Sequence, residues 1–151
     1  MDFECLTVVD CPGSIHCKSG LVKFCSHDII VVEVVAFLEA EEIARLATEL
    51  ASEKQAKDIA MLDVKGLCSF ADYFVICTGE TKRHVEAIWQ EIGEVLKCKG
   101  VIPHHNEGSS DSGWMLADFG SVIVHIFGPV ERDYYQLDEL WGRATPVVRI
   151  Q

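Results

Sequence analysis

Five consecutive apolar residues, Tyr73 to Cys77, are followed at once by Thr78-Gly79 and a long amphipathic stretch. An uninterrupted apolar run of this length is typical of a strand buried on both faces. Thr81 is a suitable N-cap for the helix that follows, and Gly100 is a suitable stop. The apolar stripe of this helix consists of Val85, Ile88, Trp89, Ile92, Val95 and Leu96. We therefore expect a buried sheet with this helix covering one face.

The rest of the pattern alternates between helices and strands. Helical spacing from Glu41 predicts a first helix, and Ile59 to Val64 predicts a mostly buried strand. Val101-Ile102 predicts the start of a short strand before a polar loop from Asn106 to Ser112.

Towards the C-terminus, Trp114 to Phe119 and Val122 to Phe127 predict an antiparallel hairpin joined through Gly120-Ser121. Pro129 predicts the start of a last helix, followed by a short tail to Gln151. One face of this helix is expected to carry Tyr134, Leu137, Leu140 and Trp141. The order α-β-β-α-β-β-β-α indicates a single compact α/β (mixed α+β) domain with a mixed sheet flanked by helices.

Charge narrows the class of partner. Among 151 residues, 24 Asp and Glu outnumber 13 Lys and Arg, which gives a net charge of -11. This balance argues against binding that rests on phosphate neutralisation, so we expect little direct nucleic-acid contact and favour a protein or a small ligand. No apolar run approaches the ~20 residues of a membrane span, and the acidic start Met1-Asp2-Phe3-Glu4 is not typical of a signal peptide. No membrane association and a cytoplasmic location are expected.

The number and spacing of the cysteines also favour a cytoplasmic location. The chain has 7 cysteines, an odd number, and no Cys-x-x-Cys pair. Such usage fits a reducing compartment and buried thiols, and a zinc site usually needs one close ligand pair. No metal site is expected.

Residues 1–40 form a poorly patterned N-terminal extension, and 41–151 form the domain. The extension has two interpretations: an accessory strand or tail, or upstream sequence included by the choice of start site, with the true start near the valines at 31 to 35. The second is the preferred hypothesis.

Several residues invite a catalytic interpretation, each with a plainer alternative. Thr78-Gly79 could present amides to an anion, but the glycines of a phosphate-binding loop are missing, so a strand-to-helix turn is favoured. Asp63 and Asp118 stand alone on their strands and are expected to accept backbone or hydroxyl hydrogen bonds. His125 lies within an apolar strand and is expected to be an interior histidine. We predict no catalytic residue and no cofactor.

Trp114 follows a polar, glycine-containing loop at the start of a strand. A large aromatic residue in this position is often half covered and available to a partner. On sequence alone, the interface interpretation and a core role are equally favoured.

Several segments together resemble one known family, the ribosomal silencing factor or Iojap-like family. The resemblance extends over Glu41 to Gln151. It is carried by Asp58 to Val64, Phe70 to Gly79, Arg83-His84, Glu107-Gly108, Gly113 to Gly120, Val122 to Phe127 with its central His125, Arg132 to Tyr135, and Leu137 to Trp141.

This resemblance implies an α/β domain similar to the nucleotidyltransferase fold but without its catalytic carboxylates, and no enzymatic activity. It implies binding to the large ribosomal subunit through its fourteenth L-series protein, at the intersubunit face. The bound factor would sterically block joining with the small subunit and so repress translation when nutrients fail. The implied partner-binding residues are Trp114, Met115, Ala117 and Asp118. Strand alternation places Met115 and Ala117 on one face and Trp114 and Asp118 on the other.

Two other functions stay open. One is a nucleotide-binding enzyme on a nucleotidyltransferase-like fold, using Thr78, Gly79 and Asp118. The other is a self-associating module, a homodimer that pairs through an exposed strand edge and Trp114.

Overall fold

One mixed sheet organises residues 38–151, the part of the chain that the computed structural model describes. Its strands are β1 (Lys57–Asp63), β2 (Tyr73–Thr78), β3 (His105–Ser109), β4 (Trp114–Asp118), β5 (Val122–Phe127) and β6 (Thr145–Ile150). They lie in the order β3-β4-β5-β2-β1-β6. The central pair β2 and β5 is parallel, and the other neighbours are antiparallel.

Four helices accompany the sheet in the described residues: α1 (Ala40–Glu53), α2 (Lys82–Cys98), α3 (Pro129–Tyr135) and α4 (Leu137–Leu140). The Thr81 hydroxyl accepts a hydrogen bond from the His84 N–H at 3.1 Å, and Gly100 adopts φ +82 just after α2. The predicted start and stop of the long helix are therefore confirmed. No helix in this part of the chain is long and apolar enough to cross a membrane.

Two apolar clusters lie on opposite sides of the sheet. The first packs α1 and α2 against side chains such as Met61, Val75 and Val124. The second contains Phe74 and Phe127, with Leu137 packed against it. The predicted fold class, a mixed sheet flanked by helices, is confirmed.

Both edge strands differ from the prediction. Val101-Ile102 is not a strand, whereas Asn106 to Ser109, expected as the start of a loop, belong to strand β3, which pairs with β4. The expected C-terminal tail contains β6, which pairs with β1. β3 is exposed along its whole length and β6 nearly so, so neither carries the apolar alternation from which a half-buried strand is predicted.

The last helix was predicted as one continuous segment, and this is wrong. Gln136 adopts a left-handed conformation with φ +42, which ends α3 and starts α4. The interruption changes the helical phase, so the expected common face is lost. Leu137 and Trp141 pack against the sheet, whereas Tyr134 and Leu140 are exposed. The expectations for residues 1–37 lie outside the described residues.

Candidate protein-binding site

Strand β4 presents different side chains to the two sides of the sheet. Met115 and Ala117 are 9% and 6% exposed and belong to the cluster under the long helices. Trp114 and Leu116 are half-buried and pack against the other cluster, on the side of α3 and α4. The predicted alternation is confirmed, and it makes Trp114 the large side chain through which β4 reaches this second side.

The turn before β4 fixes the start of the strand. The backbone N–H and side chain of Ser109 are hydrogen-bonded reciprocally with those of Ser112 across one turn of 3-10 helix. Gly113 then adopts φ +71, and a Cβ atom added there would lie 2.2 Å from the Glu131 carboxyl carbon. The Glu131 carboxylate is the end of a flexible side chain and can move, whereas the positive φ of Gly113 favours glycine, so the backbone of this turn places Trp114.

Aromatic rings around Trp114 form a continuous network, which we name the aromatic face. The Trp114 ring centroid lies 5.0 Å from that of Phe127 and 4.8 Å from that of Tyr135. It is 6.0 Å from His125, which in turn lies 5.5 Å from Phe74. The remaining members are Phe70, Tyr134 and Trp141.

Both ends of the aromatic face are open to solvent. Phe70 is 60% exposed at one end and Tyr134 is 80% exposed at the other. Tyr135 and the nearby Val130 and Leu140 are also exposed, with the acidic side chains of Asp133 and Glu139 beside them in the sequence. Exposed aromatic and aliphatic side chains around half-buried rings, with charges at the rim, are typical of a protein-binding surface.

A nearly buried ion pair anchors α3 and α4. The Arg132 side chain donates to Asp138 Oδ2 at 2.7 Å and to the Asp58 carbonyl at 3.0 Å. The side chains of Arg132 and Asp138 are 11% and 21% exposed. Because this pair links both short helices to the start of β1, it holds Tyr135 over Trp114.

Two buried ionisable groups lie near the middle of the sheet: His125 beneath the aromatic face, and Cys77 in the cluster on the other side. Burial, and secondly the charge of Arg132, lowers the pKa of His125 to about 4. Burial also raises the pKa of the Cys77 thiol to about 12. At neutral pH both side chains are therefore uncharged, in line with an interior histidine and a buried thiol.

The two carboxylates considered for catalysis, Asp118 and Asp63, have structural roles. Asp118 Oδ1 accepts from the Gly120 N–H at 2.7 Å, and Asp63 Oδ1 accepts from the Lys65 N–H at 2.9 Å. A Cβ atom added at Gly79 would lie 2.8 Å from the Val85 backbone nitrogen, so helix α2 already fills that space. Within residues 38–151, no group of three or more His, Cys, Asp or Glu side chains is placed to hold a metal ion.

A family model described as "Ribosomal silencing factor during starvation" matches residues 38–151. The chain belongs to the ribosomal silencing factor family. It is 38% identical to the ribosomal silencing factor of Bacillus subtilis over 107 residues, which cover 71% of this chain and 91% of that protein. It is 31% identical to the mouse mitochondrial assembly of ribosomal large subunit protein 1 over 99 residues, or 64% of this chain and 43% of that protein.

A solved structure agrees with the family assignment. The crystal structure of a Chromobacterium violaceum protein is 37% identical in sequence and has a TM-score of 0.67, covering 70% of this chain and 88% of that one. At this identity the likeness covers sequence as well as fold. The resemblance to the family that the sequence indicated is confirmed.

Within the silencing-factor domain, the four predicted partner-binding residues do not form one patch. Trp114 lies in the aromatic face, and Asp118 closes the β4–β5 turn. Met115 and Ala117 lie on the opposite side of the sheet. The sequence predicted no site role for Phe74 or Tyr135, although both lie in segments that carry the resemblance. No local pattern brings Tyr135 to Trp114 or Phe74 to His125, because only the sheet order and the break at Gln136 do so.

Proposed function

We propose that this chain is a ribosome-binding translational repressor that acts in the cytoplasm. Residues 41–151 would bind the large subunit through its fourteenth L-series protein at the intersubunit face. The observation that carries the proposal is the family match over residues 38–151. The aromatic face supports it, since its exposed ends, at Phe70 and at Tyr134, offer apolar surface to a partner protein.

The repression needs no chemistry. A folded domain held at the intersubunit face would occupy the volume that the small subunit requires, so occupancy and bulk are sufficient. Repression of this kind would act under nutrient limitation, when fewer joined ribosomes are needed. The uncharged His125 and the filled space at Gly79 are consistent with a non-enzymatic role.

We propose Trp114, Met115, Ala117 and Asp118 as the partner-binding residues, with two kinds of contribution. Trp114 and Asp118 are half-buried, and their exposed parts would contact the partner. Met115 and Ala117 would contribute by packing β4 against the long helices, which fixes the height of Trp114 above the sheet.

Sucrose-gradient sedimentation tests the proposed function. The purified chain is mixed with separated large and small subunits, and magnesium is then raised to drive subunit joining. We expect the chain to comigrate with the large subunit and the joined peak to disappear. A chain that stays at the top of the gradient, with an unchanged joined peak, would refute the proposal.

The Trp114 contact is tested by substitution. Trp114→Ala is expected to weaken large-subunit binding by about 2 kcal/mol, or roughly thirtyfold, because hot-spot aromatic residues carry this much binding energy. Trp114→Phe keeps an aromatic ring against Phe127 and should retain part of the affinity. Trp89→Ala, on α2 at the other side of the sheet, is the control and should bind normally. Unchanged affinity in a folded Trp114→Ala variant would remove Trp114 from the interface.

A homodimer is a second proposal, favoured by the exposure of edge strand β3. Two copies could pair along this edge without covering α1 or α2. Light scattering with and without ribosomal subunits tests it: a dimer mass in free solution supports the proposal, and a monomer mass across the accessible concentrations contradicts it.

A further inference from the structure

The edge of the sheet farthest from β3 carries a second open surface. Among the described residues, β6 has β1 on one side and no strand on the other. Alternate backbone N–H and C=O groups of such a strand point outwards and can pair with an added strand. Pro146, which has no N–H, lies near the start of β6, so the edge is most available over residues 147–150.

A groove runs beside this edge. It has a volume of about 380 Å³ and lies between α1 and β6. Val148 and Ile150 form its apolar floor, and α1 forms its wall. Thr48 in that wall already donates its hydroxyl hydrogen to the Ala44 carbonyl at 2.8 Å. Side chains along a strand alternate between the two faces of the sheet. A strand added to β6 would thus place every second side chain in this groove.

The wall of the groove has unbalanced negative charge. Arg45 is neutralised by Glu41, with 2.8 Å between the guanidinium nitrogen and the carboxylate oxygen. Glu49 and Glu53 also line the groove, and neither forms an ion pair with another residue of 38–151. The groove therefore favours a ligand whose inward-facing side chains are cationic.

The spacing of the two carboxylates suits an extended ligand. Glu49 and Glu53 are separated by one helical turn, about 6 Å along the axis. Side chains two residues apart on an extended strand are about 6.8 Å apart. Two lysines at alternate positions could thus lay their aliphatic stems on Val148 and Ile150 while each ammonium group reaches one carboxylate.

We propose that β6 and the groove beside α1 bind an extended, lysine- or arginine-bearing segment of a partner protein by strand addition. Backbone pairing along β6 supplies general affinity, and the groove selects basic side chains at alternate positions. This surface is separate from the aromatic face, because the groove lies on the α1 side of the sheet and the aromatic face lies on the other side. Its test therefore stands apart from the test of large-subunit binding.

Fluorescence anisotropy with synthetic peptides tests the proposal on the full chain. The probe is a fluorescein-labelled peptide of alternating lysine and threonine, as long as β6. One control peptide has the same composition with all lysines grouped at one end. A second control has the alternating sequence with N-methyl groups on alternate amides, which removes strand pairing and keeps the charge.

We expect the alternating peptide to bind at least about tenfold more tightly than either control, because only it can pair with β6 and place lysines inwards. Glu49→Gln/Glu53→Gln should weaken its binding by about fivefold, as two partly exposed ion pairs allow. Glu86→Gln/Glu94→Gln, with the same charge change on exposed positions of α2, is the matched control and should bind normally.

Three results would overturn the proposal. Equal binding of the grouped and alternating peptides would show attraction by net charge alone. Equal losses in the two double variants would place the contact away from the groove. If the full chain does not bind the alternating peptide, a basic partner segment is excluded. That result is expected if a second copy or another part of the chain covers the edge.

Discussion

Arg132 and Asp138 connect two short helices to the sheet through a nearly buried ion pair. Removing one member leaves the other charge without compensation in a poorly hydrated place, so Arg132→Ala should lower the free energy of unfolding by about 3 kcal/mol. Arg45→Ala breaks a pair whose side chains are 50% and 48% exposed and should cost less than about 1 kcal/mol. Urea denaturation measures both losses, and equal losses would contradict a supporting role for Arg132.

His125 makes stability depend on pH in a defined direction. The pKa of His125 is about 4 in the folded chain, against 6.5 for an ordinary histidine, first because of burial. Between these values the unfolded chain binds a proton that the folded chain does not, so the free energy of unfolding decreases as pH falls.

This component can be measured with a ring-conserving variant. From pH 6.5 to pH 5, the His125 contribution should amount to a loss of about 1.5 kcal/mol. His125→Phe keeps a ring against Phe127 and removes the titration. Between pH 6.5 and pH 5, the free energy of unfolding of this variant should therefore fall by about 1.5 kcal/mol less than that of the unsubstituted chain. Denaturant unfolding at both pH values decides the matter, and parallel pH curves for the two proteins would refute the assignment.

Residue-scale features of the site could be predicted only where they are local. The alternation of β4 separates Trp114 from Met115 in any strand, and the turn-forming role of Asp118 follows from its position before Gly120. The contact of Trp114 with Tyr135 is different. It depends on the left-handed Gln136 and on the Arg132–Asp138 pair, neither of which has a periodic signal.

At the scale of elements, replacing two glycines by alanine should change the stability of the chain in opposite directions. Gly108 in β3 has φ +86, and an added Cβ would lie 2.0 Å from the Trp114 carbonyl oxygen. Gly108→Ala should therefore destabilise the β3–β4 hairpin by about 2 kcal/mol and weaken large-subunit binding by displacing Trp114. Gly93 in α2 has open space around its Cβ position, so Gly93→Ala should stabilise the chain by about 0.5–1 kcal/mol. Thermal unfolding of the two variants checks the signs, and a shift in the same direction for both would be contrary evidence.

The elements that the sequence predicted correctly are those that bury a face or contain a specific stop. Helix α2 has Thr81 at its start, Gly100 after its end and an apolar stripe between them. Edge strands β3 and β6 have none of these signals, because their pairing is determined by β4 and β1. Their formation is a tertiary effect that no window of sequence contains.

At the scale of the whole molecule, the net charge of -11 acts on association more than on folding. On the proposed partner, where a basic protein lies among RNA phosphates, an acidic chain would be attracted locally and repelled by the surrounding RNA. Both forces weaken as salt rises, since the Debye length shortens to about 8 Å at physiological ionic strength. The two forces can be separated by comparing the association rate with the isolated partner protein and the association rate with the intact subunit.

We expect the association rate with the isolated fourteenth L-series protein to fall about tenfold over a tenfold rise in salt, because only attraction is being screened. The rate with the intact large subunit should fall less steeply, since salt also screens the RNA repulsion. Stopped-flow fluorescence of Trp114 and its neighbours provides the rates, and dissociation rates should change little in either case. If the association rate depends equally on salt for the two partners, the RNA field does not reach the docking site. The acidic surface would then have no part in limiting binding to other sites on the RNA.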